Sequence, residues 1–284
     1  MIAASNPSRS RLTGTSGSPA PNSVRVLAFL GLALAPVFVL SACQPNLHIG
    51  RWTCAADGAA NATDINSPVA IPWSTGFENG FCDYVEAAGF CYDPSPATYE
   101  VVTSPVHTGQ YAAAFRVHSS SSGDQARCVR QGALPTTAYY GAWYYIPTAA
   151  TNAGNWNLLH FTGGPDLTDH NTTLGWLDLS LVSANGGLRA AVFLGAAYTS
   201  LGEAGKFPSI PIGSWFHLQL YIDREPNGAG EVRFYQDGQQ VFDATNVTTD
   251  VSPLGQWYVG NLADGLTPAD STLYVDDVTI SAVL

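Results

Sequence analysis

Charge is scarce in this 284-residue chain, and basic charge is scarcest. Asp, Glu, Lys and Arg make up 12% of the residues, with 11 Lys+Arg against 22 Asp+Glu. Residues 1–42 hold three of the arginines and no acid, so the remainder carries 8 Lys+Arg against 22 Asp+Glu, a formal charge of −14. So acidic a body repels polyanions, which argues against nucleic acid or an anionic membrane surface as a partner and leaves neutral glycans favoured. Helical periodicity is almost missing as well. No apolar run reaches the roughly 20 residues that a membrane-spanning helix needs; the longest, VLAFLGLALAPVFVLSAC, occupies only positions 26–43.

That run is nonetheless informative. It suits the apolar middle of a secretory signal, follows Arg9, Arg11 and Arg25, and ends in Leu40-Ser41-Ala42-Cys43. The ending resembles the lipobox of bacterial lipoproteins. The resemblance implies cleavage before Cys43, acylation of its thiol and amino group, and a lipid-held protein at the cell envelope. Gln44, standing where Asp would retain the protein, implies the outer membrane. A plain cleaved signal is the alternative. The expected division is a signal over 1–42, a polar tether over 43–72 and one domain over 73–284, anchored to the membrane through lipid only and monomeric.

With Cys43 lipidated, four cysteines remain, an even number that reads as two disulfides in an exported chain. Three pairings are possible. The favoured one joins Cys82 to Cys91 across FCDYVEAAGFC and Cys54 to Cys128, tying the tether to the domain.

From Trp73 onward, short β-branched and aromatic runs alternate with turn residues. Twelve strands are expected, among them 125–131, 138–146, 156–161, 256–260 and 273–281. In WFHLQLYID, positions 215–223, Phe216, Leu218, Leu220 and Ile222 point one way and Trp215, His217, Gln219 and Tyr221 the other. Asp237-Gly238 then sits between alternating runs and predicts a tight hairpin. The fold class is all-β, a two-sheet antiparallel sandwich.

GFENG at 76–80, TYEVVTSPVHTGQYAAAFRV at 98–117, YYGAWYYIP at 139–147 and the closing WYVGNLADG and LYVDDVTIS resemble the concanavalin A-like jelly rolls, most of all their polysaccharide-lyase and laminin-G-like branches. The resemblance covers about residues 73–284 and implies a jelly roll whose curved sheet holds a polysaccharide. Sugar rings lie on aromatic faces while their hydroxyls need fixed polar partners. Candidate contacts are Trp143 and Tyr145 on one strand, Trp156 beside His160 on another, and Trp215, His217, Gln219 and Tyr221 on a third.

Jelly-roll alginate lyases carry an arginine strand, a Gln-Ile-His strand and a late tyrosine strand. The nearest matches are Ala126-Arg127-Cys128-Val129-Arg130, Leu158-Leu159-His160 and Trp257-Tyr258-Val259-Gly260-Asn261. They nominate His160, Arg127, Arg130 and Tyr258 as catalytic, with Leu158 standing where the carboxylate-binding amide belongs. Alternation puts Arg127 and Arg130 on opposite faces, so one of them at most lines a groove. The Glu-x-Asp-x-x-Glu pattern of jelly-roll glucanases is missing, which argues against hydrolysis. Glu78 and the pair Asp276-Asp277 match the first and last strands of sandwich modules that share a structural calcium ion. No organic cofactor is expected. Carbohydrate binding is the leading expectation, β-elimination of a uronic-acid polymer the alternative, and a structural or adhesive surface lipoprotein the third.

Overall fold

The computed structural model describes residues 54, 65–119, 123–163, 177–195, 199–202, 206–225, 227–249, 252 and 254–284. The apolar run and Cys43 lie outside the described residues, as does most of the loop 163–173. In chain order the elements are β1 (Trp73–Thr75), α1 (Cys82–Glu86), β2 (Phe90–Tyr92), β3 (Thr98–Val102), β4 (Ala112–His118), β5 (Asp124–Gly132), β6 (Thr137–Tyr145), β7 (Thr151–Asn152) and β8 (Trp156–Gly163). They continue with β9 (Leu177–Ala184), β10 (Gly187–Leu194), β11 (Thr199–Leu201), β12 (Trp215–Asp223), β13 (Gly230–Gln236), β14 (Gln239–Val247), β15 (Gly255–Ala263), β16 (Leu266–Thr267) and β17 (Asp270–Ser281). No helix among the described residues is long and apolar enough to cross a membrane.

Two antiparallel sheets form the body, as the alternating pattern predicts. One runs β14-β13-β12-β6-β17-β4-β3, with β1 also on β17; the other runs β11-β10-β9-β8-β15-β5-β2. Between them lies one core. Phe216, Leu218, Leu220 and Ile222 of β12 are all at most 1% exposed, as the alternation requires. Tyr140 of β6 bridges the layers, meeting the rings of Phe161 and Trp257 edge-on at 5.4 and 5.2 Å. The predicted hairpin is present: Asp237 and Gly238 have φ of 50° and 75°, the pair of positive values a two-residue turn matched to strand twist requires.

The disulfides pair differently from the favoured expectation. Cys54 joins Cys82, and Cys91 joins Cys128. The β2–β5 ladder explains the second bridge, because it sets Cys91 directly opposite Cys128 with Cα atoms 4.0 Å apart. Cys82 opens α1, on a different element, and is left for Cys54. The segment before β1 is also pinned. Val69 N–H donates to Ala133 O at 3.0 Å, and Ala133 N–H returns to Ile65 O at 2.9 Å.

Candidate functional site

Three neighbouring strands, β8, β15 and β5, with β2 at the edge, present one polar patch on the outward face of the seven-stranded sheet. Register brings it together. Tyr258 stands opposite His160 on one side and Val129 on the other, while Arg127 stands between Gly260 and Tyr92. Their chain neighbours Trp257, Val259, Phe161, Leu159 and Cys128 all point into the core.

The contacts are close. The His160 and Tyr258 rings meet edge-on with centroids 5.2 Å apart, and the Arg127 guanidinium lies 5.5 Å from the Tyr258 ring centre. Arg127 Nη2 donates to Asn157 Oδ1 at 2.7 Å, and Asn157 Nδ2 donates to Leu159 O at 3.1 Å. Tyr258 Oη donates to Gln256 Oε1 at 2.6 Å, whose Nε2 donates to Gln131 Oε1 at 2.8 Å. Burial pushes the Tyr258 hydroxyl well above the ordinary phenol range; Tyr92 adds to this and the Arg127 charge opposes it. The phenol therefore keeps its proton at neutral pH.

Asn157 supplies the amide that Leu158 could not. A bulge between Asn157 and Leu159 in the β8–β9 ladder, with a matching irregularity between Val259 and Leu262 in β15, inserts one residue and reverses which side the preceding residues face. Asn157 thereby comes onto the same face as His160, and Trp156 turns inward. Trp156 is accordingly a correction: its side chain is fully buried, with Nε1 donating to Asn261 Oδ1 at 3.0 Å, and it cannot stack on a sugar. Gly260 makes the close approach possible. At φ of 145°, a Cβ there would sit 2.4 Å from Ala126 O and 2.8 Å from Arg127 Cα.

Arg130 is a second correction. Alternation turns it to the core side, where Nη1 donates to Ala87 O and Gln131 O and the guanidinium lies 5.7 Å from the Trp73 ring centre. Burial lowers its pKa to about 10. It is a structural cation.

The remaining aromatic candidates lie on the opposite outer surface. In the eight-stranded sheet Trp215 faces Tyr145, His217 faces Trp143, Gln219 faces Gly141 and Tyr221 faces Tyr139. The Trp215, Tyr145 and Tyr274 rings form a row with centroids 5.6 and 5.8 Å apart. Trp143 is partly covered, since the His107 ring stacks on it at 3.8 Å and His217 approaches at 5.2 Å. Gln219 is buried. Burial lowers the His217 pKa, with Asp237 opposing and His107 assisting. These residues do not join His160.

Glu78, Asp276 and Asp277 converge on the loop 104–111. Glu78 Oε1 accepts the N–H groups of Gln110 and Tyr111 at 2.7 and 3.1 Å. Asp276 Oδ2 accepts those of His107 and Thr108 at 2.9 and 3.3 Å, and Asp277 Oδ2 meets His107 Nδ1 at 2.6 Å. Their oxygens act as acceptors for the loop, and among the described residues no group of three His, Cys, Asp or Glu is arranged to hold a metal ion.

Sequence reasoning missed Asn157, Gln131, Gln256 and Tyr92 as members of the patch. Asn157, three residues before His160, was the one signal available, and strict alternation assigns it to the wrong side.

The family model described as polysaccharide lyase matches residues 72–279. Among solved structures the chain is similar to the endo-β-1,4-glucuronan lyase of the fungus Trichoderma reesei, at 15% identity and TM-score 0.52 over 74% of this chain and 94% of that one. It is also similar to a variant of the alginate lyase Aly36B in complex with an alginate trisaccharide, at 13% and 0.52 over 78% and 100%, and to the cellulose-induced protein Cip1, at 12% and 0.51 over 74% and 97%. At such identities the likeness speaks for the fold. No curated protein matches the chain. With the model spanning nearly all of the sandwich, the chain belongs to the polysaccharide lyase family, on a concanavalin A-like jelly roll.

Proposed function

We propose that the protein is a lyase that cuts a 1,4-linked uronic-acid polymer by β-elimination on the outward face of the seven-stranded sheet. The observation that carries this is the pairing of His160 with Tyr258 directly across two strands, with Arg127 and Asn157 beside them. Elimination needs the substrate carboxylate neutralised so that the neighbouring carbon gives up its proton, a base to take that proton, and an acid for the leaving oxygen. Arg127, oriented by Asn157, pairs with the carboxylate and stabilises the charge that spreads onto it. His160 takes the proton from C5. As the C4–C5 double bond forms, the C4–O bond breaks, and Tyr258 protonates the departing oxygen. Tyr258 suits the acid role because burial holds its proton in place. The glucuronan and alginate lyases of the same fold are named for uronate polymers, which supports the substrate class. Arg127 offsets locally an overall charge that would otherwise repel such a chain.

The test is incubation with polyglucuronate, alginate and pectate while following the ultraviolet absorbance of unsaturated uronate ends. A rise that His160→Ala removes supports elimination. Retention on the polymers without new ends would leave a binding protein instead.

A second, non-catalytic glycan contact is favoured by the row Trp215–Tyr145–Tyr274, whose rings stand in register across three strands on the other outer surface. We place the protein at the cell envelope, held through acylated Cys43. Two disulfides, which form in oxidising compartments, support export. Metabolic labelling with a fatty acid, lost in Cys43→Ala, tests it.

A further inference from the structure

Arg127 has a polar neighbour on each side. On the β8 side Asn157 accepts its Nη2 donor. On the β2 side stands Tyr92, directly opposite it in the ladder, with the phenol donating to Gln125 Oε1 at 3.0 Å. Tyr92 is thus the side chain that the ladder sets beside Arg127 on the same face, away from Asn157.

The strand carrying Tyr92 has little of its own to hold it. β2 is three residues long, lies at the sheet edge and pairs with β5 alone. Short edge strands of this kind detach and slip readily. A slip by one residue would turn Tyr92 to the core side, because strand side chains alternate. The Cys91–Cys128 disulfide forbids that slip. It joins directly opposed residues, one position from Tyr92 on β2 and one position from Arg127 on β5, and fixes both register and parity.

We propose that Tyr92 is a positioning residue for Arg127, and that the Cys91–Cys128 disulfide serves activity by keeping Tyr92 on the substrate face. The inference rests on the elimination reading above and extends it to two parts that the reaction chemistry does not itself require. A phenol at this place braces the guanidinium against swinging away when the uronate carboxylate draws on it. The bridge thereby makes the reaction sensitive to thiol reductants.

The experiment uses the full protein and a uronate polymer that it cleaves. Tyr92→Phe keeps the ring and removes the hydroxyl; kcat/KM is expected to fall about tenfold with the melting temperature unchanged. In an Arg127→Ala background the same change should cost nothing more, since residues acting through one another are not additive. The double change Cys91→Ala with Cys128→Ala should reproduce the Tyr92→Phe loss and not add to it. Should the cysteine pair fail to fold, the Tyr92→Phe cycle decides alone. Cleavage by Tyr92→Phe at the rate of the unaltered protein, or full additivity with Arg127→Ala, overturns the inference and leaves the elimination reading intact. An unaltered protein that cleaves none of the three polymers, whether or not it is retarded in their gels, overturns both.

Discussion

Arg127 and Arg130 sit three residues apart on one strand and point to opposite sides of it, one to the outward patch and one into the core. Their substitutions should therefore separate. Arg127→Ala removes the carboxylate's partner and is expected to lower kcat/KM by about a hundredfold or more, the loss typical of a missing electrostatic stabiliser, and it costs roughly 1 to 3 kcal/mol by leaving the buried Asn157 Oδ1 without its donor. Arg130→Ala leaves Ala87 O and Gln131 O without their donor, at a cost of roughly 2 to 3 kcal/mol. It should lower the melting temperature while leaving kcat near its original value wherever the protein stays folded. Activity lost equally in both would contradict the division.

Gly260 should tolerate no side chain. Its φ of 145° is closed to other residues, and the Ala126 carbonyl stands 2.4 Å from where a Cβ would be. Gly260→Ala has to push β15 away from β5 at the level of Arg127. A destabilisation of about 2 kcal/mol or more is expected, measured by denaturant unfolding, together with loss of elimination because Tyr258 rides on the displaced strand. A variant as stable as the original would show that the two strands are not pinned there.

The contrast between these two predictions shows what the sequence made legible. Opposition of Arg127 and Arg130 follows from alternation and needs no structure. So do the buried side of β12 and the Asp237-Gly238 hairpin, where local pattern and tertiary packing agree. Alternation fails at β8, because a single inserted residue at the bulge exchanges the roles of Trp156 and Asn157, and a bulge has no marker where two leucines follow one another, as Leu158-Leu159 do after Asn157. Tyr92 stayed hidden for another reason: a three-residue strand has no period to read. The disulfides depend on which strands become neighbours, so four cysteines left three answers open until β2 was seen to lie on β5.

Asp276 gives a pH dependence with a definite sign. Burial costs its ion more than the N–H donors of His107, Asp277 and Thr108 return, and the carboxyl is held up at about 6, above the ordinary carboxylate range. A folded-state pKa raised in this way favours the folded state when the group is protonated. The contribution is complete below about pH 4 and is lost as pH rises through 6. Asp276→Asn, which cannot ionise, should therefore lose less melting temperature than the original protein between pH 4 and pH 6.5. Parallel curves for the two proteins would place the titration elsewhere.

The two outer surfaces should be separable by length of ligand. The patch around His160 needs only the few sugar units that span the scissile bond, whereas the Trp215–Tyr145–Tyr274 row lies on the other sheet and can meet only a chain long enough to reach it, or a second chain. Trp215→Ala removes one ring from the row and touches none of Arg127, Asn157, His160 or Tyr258. An aromatic ring's face contact with another ring is worth about 1 kcal/mol beyond its buried area, and a sugar face on Trp215 is of the same order, so retardation in a polysaccharide gel should weaken several-fold. Turnover of a short uronate oligosaccharide should stay the same. If the variant migrates as the unaltered protein does in every glycan gel, the row is packing for the loop 104–111, which already lays His107 on Trp143. If turnover of the short substrate falls as well, the two sheets are coupled through the shared core. Tyr140 would carry that coupling, since it lies against Phe161 and Trp257, the chain neighbours of His160 and Tyr258.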